Sequence, residues 1–256
     1  MVAGRNHILI NGGGTFAGNA IAAALLAEGA SVQMIVRPGA DALLGPLRDE
    51  VEWWTGDPWN PASLRGRARG AAVVIHTVGS MIAYPQQGLN HTYLNTLSLR
   101  NVVNMCVTDG APRLLYVSAA RAPWLPRHYI RAKRDSEAYI ARMGLQAVVV
   151  RAPLLYERGW RRPFVFRLVS LTAAVTPFSG RSAPMPVDVF ARGVARLALG
   201  KAQGRVIYFA RDLWRLNNRN ERRGLVLEPA PTPFIPEPPP GEDDTKPNHL
   251  VPRNDL

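Results

Sequence analysis

The stretch Ile8-Leu9-Ile10-Asn11-Gly12-Gly13-Gly14-Thr15-Phe16-Ala17-Gly18 constrains this chain more than any other. A short apolar run ends in a glycine cluster. A helical pattern follows, with Ile21, Leu25 and Leu26 apolar among alanines. Strand, tight turn and helix start are the parts that hold a dinucleotide. The backbone has to approach a pyrophosphate closely, and the helix N-terminus offers N–H groups and a positive dipole end. Gly12, Gly13, Gly14, Thr15, Phe16, Ala17 and Gly18 are therefore the expected phosphate-binding residues.

Strand and helix patterns then alternate. Val32 to Val36 reads as a second strand and ends at Arg37. In this arrangement the residue after the second strand faces the adenosine ribose. An acidic side chain there suits a free 2′-hydroxyl and an arginine suits a 2′-phosphate, so Arg37 points to NADP(H) over NAD(H). Val51 to Trp54 is a third strand, and Asp57 beyond it either accepts from the adenine amino group or caps the next turn. Ala71 to His76 is too continuously apolar for an edge strand and belongs inside a parallel sheet. Thr77, Val78 and Gly79 follow at its carboxyl end, where ligands bind in open α/β sheets. His76 itself reads as a packed strand-end residue.

Asn90 to Val107 carries a helical pattern that Gly110 and Pro112 stop. Arg113 to Ser118 is a fifth strand. Tyr129 and Lys133 stand four apart, on one face of a helix. An ammonium beside a phenol is expected to lower its pKa, so that it exchanges a proton with a carbonyl or alcohol, and the same lysine can hold the nicotinamide ribose. Leu145 to Val150 is a sixth strand, ending at Arg151-Ala152-Pro153. Repeated strand–helix units make a doubly wound parallel α/β sheet. Residues 1–160 are expected to form its core and 161–223 the C-terminal part of the same domain. The apolar segment from Pro163 to Phe178 is expected either to cover the substrate side or to lie against a membrane or partner. Val187 to Leu199 reads as a returning helix and Arg205 to Phe209 as a last strand. Residues 224–256, with nine prolines between Pro229 and Pro252, form an extended tail suited to lying on a partner.

The net charge is +12, from 31 Lys+Arg against 19 Asp+Glu. Such an excess suits an acidic partner or an anionic lipid surface. No zinc spacing, stacking ladder or recognition helix accompanies it, so nucleic acid is not expected. Cys106, the single cysteine, lies among Val102, Val103 and Met105 and reads as an inert core thiol. No apolar run reaches the roughly 18–20 residues that span a bilayer. The first strand begins within ten residues of Met1, which leaves no clear presequence ahead of the fold.

Taken together, Gly12 to Gly18, Arg37, Gly56-Asp57, Thr77-Val78-Gly79, Tyr116-Val117-Ser118, Tyr129 with Lys133, and Arg151-Ala152-Pro153 resemble the short-chain dehydrogenase/reductase superfamily in its extended or atypical branch. That branch includes the nucleotide-binding accessory subunit of mitochondrial respiratory complex I. The resemblance implies a Rossmann fold, bound NADP(H), and Ala152 and Pro153 against the cofactor. In an active member it implies Tyr129, Lys133 and Ser118 as catalytic residues. The branch usually has glycine at the first, fourth and seventh places of its loop; here these are Gly12, Thr15 and Gly18, with an additional Gly14. Active members carry a carbonyl-polarising hydroxyl one or two residues beyond Ser118, where this chain has Ala119 and Ala120. The implied role is therefore a mainly structural subunit among the partners of a large membrane-associated complex, on the matrix side of the mitochondrial inner membrane. The alternatives are an active NADPH-dependent reductase or epimerase-like enzyme using Tyr129 and Lys133, and an NADP-sensing regulator.

Overall fold

Helix α1 (Phe16–Ala27) follows β1 (His7–Gly13), and the two set the geometry of the molecule. The computed structural model describes residues 7–158, 182–200 and 206–221. The expected pocket cover from Pro163 to Phe178 and the proline-rich tail lie outside them. β2 (Ser31–Val36), β3 (Glu52–Thr55), β4 (Val73–His76), β5 (Arg113–Ala119), β6 (Gln146–Ala152) and β9 (Ile207–Phe209) join β1 in one parallel sheet. Its order is β3-β2-β1-β4-β5-β6-β9. Strand order reverses between β1 and β4, the crevice at which doubly wound sheets bind ligands. The short parallel pair β7 (Leu155–Tyr156) and β8 (Met185–Pro186) flanks the same end.

Alternation along each strand sorts side chains between two layers. Ile8, Ile10, Val73, Ile75, Leu115 and Val117 pack under α1 and α5 (Val187–Ala198). Leu9, Val74, Leu114 and Tyr116 pack on the other face, against the short α2 (Pro61–Leu64), α3 (Ser98–Asp109) and α4 (Arg127–Arg142). α1 is apolar nearly all round because α5 covers its outer side, which explains its run of alanines. A Cβ on Gly18 would stand 2.1 Å from the Gly12 carbonyl oxygen, so glycine is what lets α1 lie this close to β1. The edge strand β3 handles its two tryptophans differently. Trp53 and Trp54 are half-buried, with the Arg48 and Arg67 guanidiniums 5.2 and 5.1 Å from their ring centroids.

The sequence pattern misses several features, among them the 3-10 segment Asp41–Asp49 and the β7–β8 pair. α6 (Ala210–Glu221) continues where the composition suggests an approach to the tail. Its Asn217 is buried, donates to Val189 O at 2.9 Å and accepts from Arg196 at 2.7 Å. Arg196, only 2% exposed, also pairs with Glu28 at the end of α1. The helix leading into α3 begins as a π-helical turn (Thr92–Leu97), and nothing in its composition marks this. The strands and helices that were expected lie within two or three residues of their places. Cys106 is fully buried in α3, and burial pushes its thiol up to about 12, in keeping with an inert core thiol. Among the described residues no helix is long and apolar enough to cross a membrane.

Candidate functional site

The glycine turn is organised by Thr15. This residue is extended (φ −96°, ψ 150°) and caps α1. Its Oγ1 donates to Gly12 O at 2.6 Å and accepts from Gly18 N at 3.1 Å. The departure from glycine at the fourth place is thus a helix cap in a conformation any residue adopts. Thr15 Oγ1 also lies 3.4 Å from Thr77 Oγ1 at the end of β4, tying the two strand ends together. Gly14 N donates to Asn19 Oδ1 at 2.9 Å. Phe16 and Ala17 open the helix, and its first turn holds no acidic side chain to oppose an anion. Arg37 is exposed one residue beyond β2 and makes no ion pair among the described residues. Asp57 takes the capping role: its Oδ1 accepts from Trp59 N at 3.0 Å. These residues fit a dinucleotide: a capped helix start, a glycine turn and a free arginine, all at the carboxyl ends of β1 and β2.

Thr77, Gly79, Val117, Ser118, Tyr129, Lys133, Ala152 and Pro153 line one pocket at the carboxyl ends of β4, β5 and β6. Met81, Ala119, Ala120, Ala122, Trp124, Leu125, Leu154 and Leu155 complete a mostly apolar wall. The helical spacing that places Tyr129 and Lys133 on one face therefore delivers both to the site. Val78, between Thr77 and Gly79, is buried in the core instead. The phosphate turn and Arg37 stand along the neighbouring strand ends, outside this pocket.

Lys133 is only 3% exposed. Its Nζ donates to Val117 O at 3.3 Å and lies 5.0 Å from the Tyr116 ring centroid. Burial pushes its pKa down to about 7, against the pull of Glu137. A Cβ on Gly79 (φ +153°) would stand 2.8 Å from Lys133 Nζ and 2.5 Å from Asn95 Oδ1, so glycine is required where β4 meets the lysine. Asn95 was not found by sequence reasoning. It is fully buried in the π-helical turn; its amide accepts from Ser80 N and donates to Ser80 O and His91 O. It thereby fixes the loop beside Lys133.

Two expectations for the catalytic residues are corrected. Tyr129 is not acidified: burial pushes its phenol up to about 12, with only Arg134 opposing. The Lys133 ammonium is itself desolvated, and it lies 5.9 Å from the Tyr129 ring centroid, directed at Val117 and Tyr116. Ser118 lines the pocket, yet its hydroxyl does not stand free. Its hydroxyl donates to Glu137 Oε1 at 2.6 Å. Glu137 also holds Arg134, and Arg151 Nη2 at 2.6 Å, while Arg134 Nη2 supports Ala119 O at 2.8 Å. This charged cluster braces the ends of β5 and β6. Ala119 and Ala120 offer no side-chain donor.

Beneath Lys133, Asn11, His76 and Tyr116 stand side by side on β1, β4 and β5, all fully buried. Among the described residues the Asn11 amide and both His76 nitrogens have no hydrogen-bond partner. The His76 and Tyr116 rings stack at 5.8 Å. Burial, reinforced by Lys133, pushes His76 down to about 3 and keeps it neutral.

A family model described as NAD(P)H-binding matches residues 12–173. A protein of Caulobacter vibrioides (strain NA1000 / CB15N) named ceramide reductase is 30% identical over 209 residues, 81% of this chain and 62% of that protein. The chain thus spans under two thirds of the length of that relative. Among solved structures, Bordetella bronchiseptica WbmH in complex with NAD+ superposes with a TM-score of 0.60 at 21% identity, covering 91% of this chain and 84% of its own. The UDP-glucose 4-epimerase of Thermus thermophilus in complex with NAD gives 0.57 at 20% identity, covering 89% and 88%. At such identities the structures show the fold alone.

Proposed function

The chain belongs to the NAD(P)H-binding family, and from that premise we propose that it is an NADPH-dependent reductase of a carbonyl on an apolar, long-chain substrate of ceramide-like chemistry. The observation that carries this reading is the pocket itself: Tyr129 and Lys133 line a cavity whose other walls are mostly apolar, with hydroxyls only from Thr77, Ser118 and Ser182. A sugar substrate would leave most of its hydroxyls unpaired against such walls. An alkyl chain meets no such penalty. Arg37 supports NADPH over NADH, because a guanidinium pairs with a 2′-phosphate.

The bound nicotinamide supplies the hydride. Gly12 to Gly18 hold the pyrophosphate, with the start of α1 facing it. Lys133, at the pocket wall, would hold the ribose beside the nicotinamide. Tyr129, protonated throughout the neutral range because its phenol is buried, gives its proton to the carbonyl oxygen as negative charge develops there. Thr77 and Gly79 line the same pocket at the end of β4. The absent donor at Ala119 or Ala120 costs a factor of about 100 relative to a site that has one.

That same absence favours a second reading, in which the chain binds NADP(H) as a structural accessory subunit of a mitochondrial membrane assembly such as respiratory complex I and turns nothing over. The Ser118 hydroxyl engaged by Glu137 supports it. Incubating the full chain with NADPH and a detergent-dispersed long-chain ketone separates the two. The reductase reading predicts the corresponding alcohol by mass spectrometry, more with long chains than with short ones. NADPH binding with no alcohol from any ketone would leave the structural reading standing.

A further inference from the structure

We propose that the mouth of the Tyr129 pocket docks on an anionic lipid bilayer, so that an apolar substrate passes between membrane and pocket without crossing water. The proposal rests on the reading of the pocket as a site for an apolar chain. Met81, Trp124 and Leu154 line the pocket and are also at its surface, 37–45% exposed. Ile82 and Tyr84 extend this surface along the loop after β4 at 60% and 53% exposure. The apolar wall is therefore continuous from the reacting groups to the outside of the molecule. Exposed apolar patches of this kind mark interaction sites, and a tryptophan at the edge suits the headgroup level of a bilayer.

Charge selects the partner. Two of the segments that line the mouth, residues 77–99 and 119–134, contain no aspartate or glutamate, although the chain carries 19 acidic residues; the third, around Leu154, is followed by Glu157. The second contributes Arg121, next to the pocket-lining Ala120 and Ala122, and Arg127 and Arg131 in the first two turns of α4. All three arginines are exposed and make no ion pair among the described residues. An apolar collar with three arginines outside any ion pair beside it, and with the neighbouring Glu137 already neutralised by Arg134 and Arg151, matches an anionic bilayer surface, which attracts basic side chains within a Debye length.

Sedimentation of the full chain with vesicles tests this. Wild type is expected to bind vesicles of phosphatidylcholine mixed with phosphatidylglycerol, to ignore phosphatidylcholine alone, and to be released by high salt. Each arginine near such a surface contributes about fivefold in binding. The Arg121→Glu, Arg127→Glu double variant should therefore lose at least about tenfold. Ile82→Ser, outside the pocket wall, should weaken binding in the same assay. Arg65→Glu with Arg142→Glu removes equal charge at the opposite end of the sheet and should change little. Absence of wild-type binding, or equal losses from both charge-reversed pairs, would overturn the proposal. So would self-association of the chain through Ile82 in place of vesicle binding. Reduction of a soluble ketone reads the pocket separately: activity without vesicle binding would refute docking alone, and vesicle binding without activity would refute the reductase alone.

Discussion

Replacing His76 by leucine should change how the stability of the fold depends on pH. His76 is fully buried, neither ring nitrogen has a hydrogen-bond partner among the described residues, and its pKa is pushed down from 6.5 to about 3. In the unfolded chain it takes a proton near pH 6.5. Between about pH 6.5 and 3 the unfolded state therefore binds more protons, and stability falls as pH falls. One proton contributes about 1.4 kcal/mol per pH unit below the unfolded value. Between pH 7.5 and pH 5 the loss due to His76 is then about 2 kcal/mol, a substantial share of the 5–15 kcal/mol typical of a domain. Urea unfolding of wild type and His76→Leu at these two pH values measures it. Any packing cost of the leucine is the same at both pH values and cancels in the difference. Carboxylates and Lys133 are common to both proteins. Wild type should lose about 2 kcal/mol more than the variant on acidification. Parallel losses would mean that His76 keeps a partner or a proton in the fold, and the account of the buried Asn11–His76–Tyr116 row would be wrong.

Other outcomes follow from the same geometry. Lys133, held near pH 7, is charged below that value and neutral above it, so reductase turnover that needs the cation should decline as pH rises through about 7. Lys133→Arg, which stays charged, should remove that limb from the pH–rate profile. Arg37→Ala should weaken NADPH far more than NADH in calorimetric titration, by about tenfold or more if the guanidinium pairs with the 2′-phosphate. Ala119→Ser restores a hydroxyl at the end of β5 and should raise kcat, by up to about 100-fold if it reaches the carbonyl oxygen. An unchanged kcat would show that Tyr129 alone suffices.

What could be read from the sequence was whatever local pattern decides. The glycine turn, the alternation of apolar strands with helices, and the four-residue spacing of Tyr129 and Lys133 each carry their own periodicity, and all appear in place. The apolar β4 became a central strand, as its composition required. What depends on distant partners was not legible. Ser118 looked available until α4 brought Glu137 against it, nineteen residues on. The pKa values of Tyr129 and Lys133 follow from burial by surrounding elements, which no i, i+4 pairing reveals. Asn95 was hidden because a π-helical turn leaves no compositional mark. Met81 and Trp124 carry no sequence signal of their own; the strand ends gather them at one mouth.

Hydride transfer from deuterium-labelled NADPH tests the central claim most directly. The full chain is mixed with a dispersed long-chain ketone, and deuterium is sought at the carbinol carbon of the product. The account predicts incorporation by wild type and a loss of about 100-fold or more in Tyr129→Phe, which keeps the ring and lacks the proton. Incorporation that is equal in Tyr129→Phe, or absent from wild type while NADPH remains bound, would contradict it.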